Sequence, residues 1–215
     1  MAVLRRDELK EVVRLLEKWG SEEMDWYRLS YRRRKWDKFG LLCLVILLQR
    51  TRAERVDRAY GRFFERFPTV EKLAESSYEE VEELLKELGL GLYRVKARRL
   101  VDMARKLVRD YGGRVPTSRE ELLKLPGVGE YTVDILSKEL LGEDSVAVDS
   151  NVLRCLRRLG IARRIEEAKK VLSEILPEGK RSRFSRILME FGMTVCKAKP
   201  ECGRCPLRKY CKAKA

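Results

Sequence analysis

The segment Thr117–Leu141, TSREELLKLPGVGEYTVDILSKELL, decides the fold. Its first part, TSREELLKL, begins at a Thr/Ser cap, places acids where a helix starts, and runs into Pro126. Its last part, EYTVDILSKELL, returns to helical composition and stops at Gly142. Between them PGVG sets two glycines one residue apart. The segment therefore reads as a helix–hairpin–helix over 117–141. Glycines in such a turn let backbone N–H groups approach an anion, because no Cβ intervenes. The helix that follows adds its N-terminal dipole. Gly127, Val128, Gly129 and Thr132 are accordingly candidates to meet a phosphate, and Tyr131 stands just inside the second helix.

Helical periodicity extends outward in both directions. DELKEVVRLLEKW repeats apolar residues at spacings of three and four. SSYEEVEELLKEL opens on serine and acids, with Gly89 after its end, and RVKARRLVDMARKLVRDY stops at Gly112-Gly113. DSNVLRCLRRLG runs from an acid to Gly160, RIEEAKKVLSEIL ends at Pro177, and RSRFSRILMEFGMTVC leads into a cysteine-rich tail. No convincing alternating strand is present. The expected class is all-α, with about ten helices on short loops, no solenoid repeat and no low-complexity linker.

The charge balance points to a polyanion. Lys and Arg number 48 against 34 Asp and Glu, a formal charge of +14 in 215 residues. Such a surplus favours nucleic acid through counterion release, although it also serves solubility. Histidine is absent, so acid–base chemistry near neutrality falls to carboxylate, Lys, Tyr or Cys. With one glutamine, one asparagine and 38% charged residues, the composition resembles that of a thermophile's protein. The start MAVLRRDELK is too charged for a signal peptide, and the longest apolar run, Phe39–Leu48, is too short for a membrane span. The protein is expected to be soluble and cytoplasmic.

Four of the six cysteines crowd the tail, as Cys196-x5-Cys202-x2-Cys205-x5-Cys211. In a reducing compartment this points to metal before disulfide, and spacing alone admits either zinc or a [4Fe–4S] cluster. Lys197, Lys199, Arg204, Arg208 and Lys209 make the loop a basic knuckle suited to a phosphate backbone. Cys43 and Cys155 lie on apolar helix faces and read as core.

Three pieces in order, LPGVGxxT, then AVDSNVLR, then the four-cysteine loop, resemble the helix–hairpin–helix DNA glycosylases related to endonuclease III, over roughly residues 35–211. Among them the chain looks most like the archaeal thymine/uracil mismatch branch. The resemblance implies two helical domains flanking a DNA-binding cleft. One is formed by residues 1–35 and 143–215 with the iron–sulfur loop 196–211; the other, a six-helix bundle, by residues 36–142. It implies double-stranded DNA as the partner of a monomer, a flipped base, a [4Fe–4S] cluster on Cys196, Cys202, Cys205 and Cys211, and a place at the prokaryotic nucleoid. The first cysteine gap is one residue shorter than the family's usual gap. Glu130 stands where members often carry a basic or other non-acidic residue.

The resemblance also assigns roles. Asp149 matches the aspartate that stabilises the oxocarbenium-like sugar as the glycosidic bond breaks, although an Asp there is also a good helix cap. Tyr131 stands where bifunctional members have a lysine that forms an imine with C1′. A phenol cannot do this, which implies a glycosylase without lyase activity. Gln49 and Arg50 match residues that enter the gap left by the flipped base, and Leu92 matches a leucine wedge inserted opposite. Val45 occupies the place of the glutamate that protonates adenine in adenine-mismatch members. Together with the arginine-rich ILLQRTRAERV, this favours thymine or uracil mispaired with guanine; the alternatives are an adenine-mismatch or oxidised-pyrimidine glycosylase of the same superfamily, or a non-catalytic DNA-binding protein.

Overall fold

The structure, a computed structural model, describes residues 4–23 and 36–213. All regular structure among them is helical, and no helix there is long and apolar enough to cross a membrane. The chain divides into two compact units: Met1–Asp25 with Gly142–Ala215, and Trp26–Leu141. The boundary expected at 35/36 adjoins residues 24–35, which lie outside the described residues.

In the Trp26–Leu141 unit the helices are α2 (Lys38–Leu48), α3 (Ala53–Arg66), α4 (Val70–Glu75), α5 (Tyr78–Glu87), α6 (Tyr93–Tyr111), α7 (Arg119–Leu123), α8 (Glu130–Ile135) and α9 (Ser137–Leu141). The other unit holds α1 (Arg6–Glu23), α10 (Ser150–Leu159), α11 (Ile165–Ile175) and α12 (Arg181–Thr194), followed by two short 3-10 turns in the cysteine loop. The segments outnumber the ten expected for two local reasons. The helix foreseen over 130–141 breaks at Leu136, whose φ of −107° and ψ of 10° leave the helical region. The short α4, capped by Thr69, carries too few residues for its periodicity to be read.

Side-chain caps set five of the helix starts among the described residues. The side chains of Asp37, Thr69, Ser77, Ser118 and Asp149 accept from the N–H groups of Gly40, Lys72, Glu80, Glu121 and Val152. Each satisfies one of the donors that a first turn leaves without an intrahelical acceptor. Gly112 and Gly160 end α6 and α10 in the left-handed conformation.

The core of the hairpin-bearing unit forms where α6 lies against α4 and α5. Phe63, Phe67, Leu73, Val81, Leu85, Leu100, Val101, Met103 and Leu107 are all fully buried there. Trp36 closes one side against Phe64 and Tyr60, at ring distances of 4.7 and 5.5 Å. The other unit is centred on α12, which packs on α10 and α1, with Trp19 edge-on to Phe191 at 5.2 Å. Cys43 and Cys155 are buried, as their apolar faces predict.

Among the described residues, one buried ammonium has no carboxylate among its hydrogen bonds. Lys96 is 0% exposed, and its Nζ donates to Leu47 O at 2.6 Å and Thr51 Oγ1 at 2.5 Å. Burial pulls its pKa from 10.5 down to about 8. Between these values the unfolded chain holds the proton and the folded chain does not, so this group makes stability rise with pH across that window and fall as pH drops through about 8. Urea unfolding at a series of pH values should show this rise in the wild type, and a smaller one in Lys96→Met.

Candidate functional site

Within the hairpin-bearing unit, three turns are joined by hydrogen bonds. The first is Gln49–Thr51 after α2, the second Gly89–Leu92 before α6, and the third Pro126–Gly129 between α7 and α8. Gln49 links the first to the third: its Nε2 donates to Gly127 O at 3.1 Å, and its Oε1 accepts from Arg99 Nη1 at 2.5 Å. Arg55 Nη1 donates to Gly89 O at 2.9 Å and ties the start of α3 to the second turn.

Gly127 is required by the fold. Its φ is +81°, and a Cβ there would stand 3.1 Å from both Arg99 Cβ and Ile46 Cδ1. Gly129 differs: its φ is −118° and nothing stands within 4 Å of where a Cβ would be. The packing therefore does not ask for glycine at 129, whereas an approaching anion would.

Some sequence-assigned residues sit otherwise than expected. Val128 is 7% exposed and its N–H is engaged by Leu125 O at 3.1 Å, so its amide closes the turn instead of facing outward. Thr132 is 4% exposed, and its side chain belongs to the core; only backbone in this first turn can face an anion. Intrahelical bonding in α8 starts at Val133 N–H, which donates to Gly129 O. The Gln49 amide is held inward by Gly127 and Arg99, which leaves Arg50 as the exposed member of its pair. Sequence could not show the direction of Gln49, because it depends on contacts 50 and 78 residues away.

Tyr131 is half-buried at the second position of α8. Its neighbour Glu130 is paired with Arg119 Nη2, which also donates to the buried Asp134 Oδ1 at 2.6 Å. The acid at 130 is thus partly neutralised by the first helix of the hairpin, and the repulsion it would exert on a phosphate is reduced.

Arg50 and Leu92 share an uncommon backbone. Among the described residues they are the non-glycines with positive φ, +50° and +58°, and Leu92 is 45% exposed. Left-handed backbone costs an L-residue about 1–2 kcal/mol and tends to cluster at functional sites.

In the other unit, Asp149 is delivered by a short braced segment. Asp144 accepts from the N–H groups of Arg181 and Ser182 at 2.9 and 2.8 Å, capping α12. Burial pushes the Asp144 carboxyl up, but these N–H groups outweigh it and hold it below its usual range. Ala147 N–H donates to Ser185 Oγ at 3.0 Å, and Val146, Ala147 and Val148 are buried. Asp149 then caps α10: Oδ1 accepts from Val152 N–H at 2.7 Å and Oδ2 from Asn151 Nδ2 at 2.7 Å. The capping role and a half-buried carboxylate coexist in one side chain.

α10 carries this order to the cysteine loop. Arg154 Nη2 donates to Asn151 Oδ1 at 3.0 Å and Gly192 O at 2.7 Å, while its Nε donates to Cys196 O at 3.0 Å. Arg158 Nη1 donates to Cys196 Sγ at 3.4 Å and Lys197 O at 2.7 Å, and its Nη2 to Ala198 O at 3.0 Å. Its own carbonyl accepts from Lys212 N–H at 2.8 Å, just past Cys211. Asn151, Arg154 and Arg158 are not among the site residues expected from the sequence. Their spacing of three and four places them on one helical face, and that was the available signal.

The four loop cysteines are all half-buried, and Cys205 lies within electrostatic range of the other three. The Cys155 thiol, hydrogen-bonded to Cys196, holds the Cys196 thiol down to about 6 despite burial, with help from Arg158; the same bond pushes Cys155 up. Among the described residues no three Cys, Asp or Glu side chains close around a metal position. As a donor set, four soft sulfurs in one loop beside guanidinium groups fit an iron–sulfur cluster.

The model of the HhH-GPD superfamily base excision DNA repair proteins matches residues 43–178, spanning the hairpin and Asp149. The chain belongs to that superfamily. Endonuclease III of Thermotoga maritima is 41% identical over 178 residues, 81% of this chain and 83% of that protein. The thymine/uracil-DNA glycosylase of Methanothermobacter thermautotrophicus is 35% identical over 182 residues, 81% of each chain. Among solved structures, a trapped endonuclease III–DNA covalent intermediate matches 98% of this chain and 97% of that one, with a TM-score of 0.85 and 30% identity. This HhH-GPD protein is thus a DNA glycosylase of base excision repair.

The two hairpin glycines should separate on substitution. Gly127→Ala is expected to lower stability by about 1–3 kcal/mol. Gly129→Ala should stay within about 0.5 kcal/mol of wild type and weaken duplex affinity instead. Urea unfolding and duplex titration at fixed salt read the two effects.

Proposed function

We propose that this glycosylase is monofunctional and releases thymine or uracil mispaired with guanine, leaving an abasic site. Tyr131 is the observation that carries the reading. It stands at the second position of α8, where the family resemblance sets the imine-forming lysine of bifunctional members. A phenol has no amine with which to attack C1′.

In this reading the flipped nucleotide packs against Tyr131, while Arg50 and Leu92 occupy the space it vacates, with Gln49 bracing the turn beneath. Amides around Gly127 and Gly129, and those opening α8, hold a backbone phosphate. The C1′–N1 bond breaks with its electron pair leaving on the base. Asp149 stabilises the positive sugar, water adds at C1′, and the proton it loses passes to the carboxylate or the departing base. Thymine and uracil leave as N1 anions, so the adenine-protonating acid that Val45 replaces is less needed. Cys196, Cys202, Cys205 and Cys211 hold a [4Fe–4S] cluster, which when bound fixes the loop and presents its basic residues to DNA. The 35% identity to a thymine/uracil-DNA glycosylase supports this substrate class.

A second reading is favoured by the 41% identity to an endonuclease III: an oxidised-pyrimidine glycosylase of the same superfamily. Single-turnover base release from duplexes with G·T, G·U, an oxidised pyrimidine, A·G and A·8-oxoguanine decides between them. Release of T or U opposite G, with nicks only after alkali, is the expected outcome; nicking without alkali or release of the oxidised base establishes the second. Asp149→Asn should abolish release while keeping binding and fold, because Asn caps α10 as well as Asp does. Tyr131→Lys should introduce strand cutting through an imine that borohydride traps, and a well-folded variant giving no trapped complex counts against the role of position 131.

A further inference from the structure

Lys96 takes no part in the chemistry above, yet an ammonium fully buried against two neutral oxygens carries a desolvation cost that an apolar residue would not. Its contacts lie where the two wedge residues are held. Nζ donates to Leu47 O, in the last turn of α2, and to Thr51 Oγ1, directly after Arg50. Its backbone N–H donates to Leu92 O at 2.9 Å and makes the first hydrogen bond of α6. One residue therefore grips both turns that contain left-handed non-glycine backbone. The turns also touch: a Cβ on Gly91 would stand 3.8 Å from Arg50 O and 4.0 Å from Thr51 Oγ1.

Left-handed conformations persist only where the surroundings over-determine them. Apolar packing alone does not direct the Leu47 carbonyl or the Thr51 hydroxyl. An amine on a long arm reaches both from α6, and its positive charge suits the C-terminal end of α2.

We infer that Lys96 is a positioning residue for base extrusion, locking the 49–51 and 89–92 turns together so that Arg50 and Leu92 are held in the poses from which they enter the duplex. The inference rests on the wedge roles given to Arg50 and Leu92 under the proposed function. It concerns extrusion and not bond cleavage, so its signature is dependence on how firmly the target base is paired. A base facing guanine must be unpaired and its gap filled; a base facing an abasic site has lost its pairing partner beforehand.

The test compares wild type, Lys96→Met, Thr51→Val and Thr51→Ser. Each is assayed for single-turnover release of uracil facing guanine and of uracil facing an abasic site. Circular dichroism and a cooperative melt establish folding. Lys96→Met is expected to lose about tenfold or more opposite guanine and to recover most of that loss opposite the abasic site. Thr51→Val should lose less with the same pattern, and Thr51→Ser, which keeps the hydroxyl, should follow wild type. Equal loss on both duplexes, or no loss on either, overturns the inference. If Lys96→Met does not fold, the Thr51 pair decides: identical behaviour of Thr51→Val and Thr51→Ser overturns it. A wild type that releases neither uracil nor thymine opposite guanine marks failure of the proposed function itself. Lys96 is then judged by the fluorescence rise of 2-aminopurine beside a tetrahydrofuran abasic analogue on binding, with a smaller rise in Lys96→Met or Thr51→Val supporting the inference and an unchanged rise overturning it.

Discussion

The carboxylate of Asp149 accepts from Val152 N–H and Asn151 Nδ2, one bond to each oxygen, and the order of its unit runs outward from that cap. Capping sets where α10 begins, and the start of α10 sets which residues share its face. Asn151, Arg154 and Arg158 follow at helical spacing. The two arginine side chains bind the Gly192 carbonyl, the first cysteine and the backbone after it. Upstream, Asp144 and Ser185 brace the approach. The carboxylate and the thiol loop are therefore parts of one hydrogen-bonded construction, although they are 47 residues apart in the chain.

The hairpin unit is arranged around a different constraint, close approach of backbone. Gly127 lets the turn sit against Arg99 and Ile46, and the Gln49 amide then joins that turn to the end of α2. Arg119 fastens the two hairpin helices through Glu130 and Asp134. These contacts leave the Gly129 side of the turn open. An acid at 130 reads as a misfit for a DNA-facing turn; in the fold it is half of an ion pair, so the sequence departure and the phosphate reading do not conflict.

Backbone strain and a buried amine meet in the same unit. Arg50 and Leu92 are held in a conformation that disfavours L-residues, and Lys96 is held in a place that disfavours charge. Both features cost stability locally. Lys96 falls on the periodic buried face of α6, four residues before Leu100, but its adjacency to the two left-handed residues is readable only in three dimensions.

Much of the molecule was legible in the chain itself. Helix starts followed from Ser77, Ser118 and Asp149, because a capping side chain acts within three residues of itself. The helix–hairpin–helix and the grouping of the four cysteines are equally local, and the order of these pieces led to the family. Other features needed the tertiary structure. The break at Leu136 splits a helix that periodicity would have continued. Thr132 and Gln49 face inward because the core, and Gly127 with Arg99, claim them. Arg154 and Arg158 acquire their meaning only when α10 is folded beside residues 192–198. Sequence determines interactions that close within a turn or two of helix; the direction of a side chain answers to partners brought from far along the chain, and only packing decides those.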